Sequence, residues 1–74
     1  MSKRINRLDV IWTEAQMSNP DVAKKYGVSL TSVSSYRNNH TQPKWDLLFQ
    51  IAKDNNCELG DLFVKVEEFF KDQA

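Results

Sequence analysis

This 74-residue chain has little with which to cross-link itself or hold a metal: one cysteine and one histidine. A single thiol forms no internal disulfide, which excludes the stapled secreted domains of this size. Cys57 and His40 together make no zinc-ligand set, and no third group completes a nucleophile–base pair. Gly27 and Gly60 are the only glycines and stand apart, so there is no glycine-rich phosphate loop. No apolar run approaches the roughly 20 residues that span a bilayer. No leader-like stretch opens the sequence either. The expectation is a cytoplasmic chain that is not an enzyme, needs no cofactor or metal, and has neither a membrane partner nor a small-molecule ligand.

Net charge is also missing, with ten basic and ten acidic residues, but the two signs are segregated. Residues 1–45 hold seven Lys/Arg and three acids, giving +4, and residues 46–74 hold three Lys and seven acids, giving −4. A bipolar molecule can offer its basic end to phosphates and its acidic end to solvent. Hydrophobic residues make up 41% of the chain, enough for one thin core and one domain over residues 1–74.

Apolar spacing predicts five helices and no strands. The first runs from about Lys3 to Ala15, with Leu8, Ile11, Trp12 and Ala15 on its apolar face. Two short helices follow within residues 18–43. Ser18 caps the first of them and Pro20 sits in its opening turn, where the missing N–H costs nothing. Val22, Ala23 and Tyr26 face inward, and Gly27 ends the helix with a positive φ. Ser29 caps the next helix, in which Val33 and Tyr36 face inward. Pro43 is placed at the first position of the fourth helix, with Thr41 or Gln42 as its cap. Trp45, Leu47, Leu48, Ile51 and Ala52 form the inward side of that helix. The fifth begins near Glu58 and continues for about four turns, with Leu59, Leu62, Phe63, Val66, Phe69 and Phe70 on one face.

Two short helices joined so tightly must cross steeply, the geometry of a DNA-binding helix-turn-helix. Residues 5–63 resemble the Xre/Cro-repressor family through VAKKYGVS at 22–29, TSVSSYRNN at 31–39, Pro43 and LLFQIAKDNNCELGDLF at 47–63. The resemblance implies an all-α, compact five-helix domain of lambda-repressor-like type, with helices 2 and 3 as the helix-turn-helix and an extended C-terminal helix. It implies a sequence-specific DNA-binding transcriptional regulator acting by operator occupancy, with double-stranded DNA as partner.

The same resemblance places Leu30, Thr31, Ser32, Ser34 and Ser35 against base edges. Their outward direction also follows from the inward Val33 and Tyr36. None of them is an Arg, Asn or Gln, the side chains that read guanine or adenine most strongly, so modest base discrimination is expected. Asn19, Arg37, Asn38, Asn39, His40, Thr41 and Lys44 are the phosphate candidates, with Lys3, Arg4 and Arg7 as further basic groups. Several family members pair a Glu at position 37 with an Arg at position 12. This chain carries Arg37 and Trp12, and a guanidinium stacked on the indole is expected instead. Gln16, Asn39 and Asn56 occupy turn positions where the family usually has Gly. Cys57 is expected to be buried, and Asp61, Glu67, Glu68 and Asp72 to face solvent.

Leu59, Leu62 and Phe63 suffice to close the core. That leaves Val66, Phe69 and Phe70, in a C-terminal helix of about 58–72, for a homodimer interface. The alternative is a protein-interaction module that keeps the fold but works through this acidic amphipathic helix.

Overall fold

A computed structural model describes residues 4–71. The domain is all-α: α1 (Leu8–Glu14), α2 (Asn19–Tyr26), α3 (Leu30–Arg37), α4 (Trp45–Asp54), a 3-10 turn (Leu59–Leu62) and α5 (Val66–Lys71). Among the described residues there is no strand, only one antiparallel bridge between Asn6 and Phe63. The core lies between α1–α4 and the 3-10 turn, and is built from Leu8, Trp12, Val22, Val33, Leu48, Ile51, Ala52 and Leu62. Burying each large side chain of this set contributes about 1.5–3 kcal/mol.

α2 and α3 form as their caps dictate. The Ser18 hydroxyl accepts from Asp21 N while the Asp21 carboxylate accepts from Ser18 N, a reciprocal capping box. Ser29 accepts from Ser32 N at the start of α3. The first four helices all end in one way. Gln16, Gly27, Asn39 and Asn56 have φ of +59°, +66°, +60° and +52°. The next residue in each case donates back across the last turn: Met17 N to Trp12 O, Val28 N to Ala23 O, His40 N to Ser35 O and Cys57 N to Ala52 O. This six-to-one closure satisfies carbonyls that the helix leaves open.

Several expected boundaries shift. The first helix starts at Leu8 and not near Lys3, because residues 5–7 pair with residues 62–64. Arg7 N donates to Leu62 O and Val64 N to Ile5 O. Lys3 and Asp72 lie outside the described residues. Ala15 is exposed rather than on the apolar face. Pro43 is buried ahead of α4, whose N-cap is Lys44, so neither Thr41 nor Gln42 caps it. Trp45 is exposed, whereas Leu47 packs on the core and Leu48 is the first buried residue of α4. Cys57 is half-buried, and burial pushes its thiol pKa up, with Asp61 and Glu58 adding to the shift.

The largest change is in the C-terminal helix. The expected four turns are broken into a 3-10 turn, an extended stretch and the short α5. Leu62 is fully buried, and Leu59 and Phe63 pack on the core as expected. Residues 63–65 then leave helical geometry so that Val64 can pair with Ile5.

Candidate nucleic-acid interface

α3 buries Val33 and tucks Tyr36 against the core, which turns its other side outward. Leu30 and Thr31 are exposed, and Ser32, Ser34 and Ser35 are half-exposed. Ser34, Ser35, Leu30 and Thr31 line one shallow concavity with Asn19 and Pro20 from the start of α2. Asn19, expected at a phosphate, thus stands beside four of the five expected base readers. Ser32 is partly occupied locally, because its hydroxyl accepts from the Ser29 hydroxyl at 2.9 Å.

The segment after α3 splits the remaining phosphate candidates. Asn38, His40, Thr41 and Lys44 are exposed. Asn38 makes one long bond, from Nδ2 to Ser34 Oγ at 3.4 Å. Asn39 is a correction: it is buried and its side chain points inward. Its Oδ1 accepts from Ile5 N at 2.7 Å and Asn6 N at 2.6 Å, and its Nδ2 donates to Asn6 O at 3.4 Å. Those bonds and its burial hold its side chain toward residues 5 and 6, away from the surface a phosphate would approach.

Arg37 is the second correction. It reaches back over α1: Nη2 donates to Met17 O, Nη1 lies 3.5 Å from Asp9 Oδ1, and the guanidinium carbon sits 5.6 Å from the Trp12 ring centroid. The stacking on Trp12 expected from the two exchanged residues is present. Arg37 Nε and Trp12 Nε1 are buried without a hydrogen-bond partner among the described residues. Arg37 is therefore part of the scaffold behind the exposed face, anchoring the end of α3 to α1.

Asn6 had no sequence signal, as one of two polar residues, with Arg7, between Ile5 and Leu8. It is fully buried and ties four places together. Its Nδ2 donates to Tyr36 O at 2.9 Å and Gln42 Oε1 at 2.7 Å, its Oδ1 accepts from Leu8 N at 3.0 Å, and its own N–H meets Asn39. This network fixes where the 38–44 segment leaves α3. On the far side, Tyr26 donates to Asp54 Oδ2 at 2.8 Å, with Lys25 Nζ 3.6 Å away and Gln50 Nε2 donating to Asp54 Oδ1. The Tyr26 bond is the main cause that lowers the Asp54 pKa, while burial raises that of Tyr26.

A capped helix, a left-handed glycine stop and a second helix with an open outer face define a helix-turn-helix DNA-binding domain. Residues 7–68 match the model of the Cro/C1-type HTH DNA-binding domain, and the chain belongs to that family. It is also similar to the crystal structure of a proposed DNA-binding protein from Bacteroides fragilis. That likeness has a TM-score of 0.72 and 30% identity, and covers 81% of this chain and 97% of the other. No curated protein matches. Among the described residues no His/Cys/Asp/Glu group could hold a metal ion, and no helix is long and apolar enough to cross a membrane.

Proposed function

We propose that the protein is a transcriptional regulator that occupies a two-fold operator as a homodimer, without catalysis. The outer face of α3 carries this reading, since it sits open beside Asn19 and is free of core contacts except through Val33 and Tyr36. Leu30, Thr31, Ser34 and Ser35 would enter the major groove, with Ser32 at its edge. Asn19, Asn38, His40, Thr41 and Lys44 would take phosphates. Leu30 and the Thr31 methyl suit a thymine methyl, and the serines accept any base, so DNA shape would carry part of the specificity. The name of the Bacteroides fragilis protein agrees with a DNA partner. Val66, Phe69 and Phe70 would help join the two copies.

The test is selection from a random duplex pool, followed by binding of the winner across salt concentrations. The reading expects a two-fold motif with half-sites about one helical turn apart and a steep salt slope. Lys44→Ala should weaken all sequences alike and reduce that slope by about 1, whereas Thr31→Ala should alter the selected motif. No enrichment by folded protein would refute operator binding and leave the protein-interaction reading.

A further inference from the structure

Asn6 and Gln42 settle one another's orientation. Leu8 N can only donate, so the Asn6 atom 3.0 Å from it is the amide oxygen. Tyr36 O can only accept, so the Asn6 atom 2.9 Å from it is the nitrogen. The second N–H of that nitrogen meets Gln42 at 2.7 Å, and only an oxygen can take it. Gln42 must therefore turn Oε1 inward. The choice between the two ends of each amide is fixed by two backbone groups of known character.

Turning Oε1 inward leaves Nε2 to the outside. Asn6 is fully buried and Gln42 is exposed, so their bond ties a surface side chain to the core. Gln42 Nε2 makes no hydrogen bond among the described residues. Its N–H donors are thus unengaged on a side chain that is itself tethered. A glutamine ordered only on binding would lose its rotamer freedom at that moment, and here Asn6 has already taken part of it. Thr41 and Lys44, on either side, are exposed as well, while Pro43 is buried.

The partner follows from what the amide has left to offer. A glutamine reads adenine with its oxygen and nitrogen together. With Oε1 held by Asn6, that two-point contact is closed and only donors remain. A lone donor suits a partner that only accepts, and the phosphate oxygens of a duplex are such a partner. We propose that Gln42 is a phosphate contact of the DNA-binding face, with Asn6 as the positioning residue that aims its Nε2 outward. The 38–44 segment trades one amide for another: Asn39 points in and Gln42 points out. The inference rests on the DNA-binding reading above and adds a contact to it.

The test compares the full chain with its Gln42→Met variant on the selected duplex. Methionine keeps the length and loses both donors. Binding should weaken about tenfold on all sequences alike. The salt slope should stay where it is, because a neutral donor releases no counterion, whereas Lys44→Ala lowers it. A scan of single methylphosphonates along the duplex then locates the contact. One position in each half-site should weaken the wild type and leave Gln42→Met unaffected. Melting curves check that the variant folds. Gln42→Glu keeps the oxygen that Asn6 needs and replaces the donors with a second oxygen. It should melt as the wild type does and bind more weakly than Gln42→Met, and it carries the same scan if Gln42→Met unfolds.

If the salt slope of Gln42→Met falls as it does in Lys44→Ala, Gln42 acts by holding Lys44 and makes no contact of its own, which overturns the inference. Methylphosphonate penalties that coincide in wild type and variant overturn it too. A wild-type chain that is folded and binds no duplex would instead remove the DNA-binding reading, and this contact with it.

Discussion

Arg37 and Asn39 are polar residues on the recognition module whose work is structural. Arg37→Ala would remove a charge-assisted bond to Met17 O, an ion pair and a cation–π contact. A loss of about 2–3 kcal/mol is expected in chemical denaturation. Arg37→Lys should recover little of it, since an ammonium lacks the planar fork that reaches Met17 and Asp9 together. At Asn39 the φ of +60° and the amide make separable demands. Asn39→Gly keeps the backbone easy but strands the Ile5 and Asn6 donors. A loss of about 1–3 kcal/mol is expected, while Gly at exposed Asn56 should be close to neutral by the same measurement.

Among the elements, the turn between α2 and α3 depends on one glycine. A Cβ at Gly27 would meet nothing within 4 Å, so the cost of Gly27→Ala is conformational. About 1 kcal/mol of destabilisation is expected by thermal melting, with the outer face of α3 unaltered. The clip from α2 to α4 gives the fold an acid-sensitive component. Asp54 has a lowered pKa through the Tyr26 bond, and Asp21 through the Ser18 N–H. A depressed folded pKa contributes stability above the unfolded value of about 4 and loses it as pH falls through the folded one. The melting temperature should therefore drop below about pH 4, and Asp54→Asn should flatten that limb.

Local chemistry made α2, α3 and their stops legible in the sequence, because caps, the glycine turn and the αL positions act within a few residues. The start of α1 and the break before α5 were not legible. Both follow from the Ile5–Val64 pairing, a contact between distant residues, while the apolar spacing of residues 59–70 fits one helix throughout. Direction was legible for Leu30, Thr31, Ser34 and Ser35, which follow from the inward Val33. For Asn39, chemistry suggested a phosphate, yet the nearer partners were Ile5 and Asn6, whereas the stack of Arg37 on Trp12 was legible and its bonds to Met17 and Asp9 were not.

At the scale of the whole molecule, DNA affinity and self-association should be linked, since the proposed dimer would carry two α3 faces at a fixed spacing. The charge of the chain is bipolar, with the basic residues 1–45 holding α2 and α3 and the acidic residues 46–74 holding α5. The antiparallel pairing of residues 5–7 with 62–64 has a mechanical consequence. If residues 4 and 71 were drawn apart, the load would fall first on the Val64–Ile5 bond and only then on the Arg7–Leu62 bond. The two segments would peel like a zipper instead of resisting in shear. The peeling strand would pull Ile5 and Asn6 from Asn39, so tension would loosen the end of α3 before it reached the core. In a single-molecule pulling trace this predicts a low-force step ahead of global unfolding, and duplex binding lost at that step.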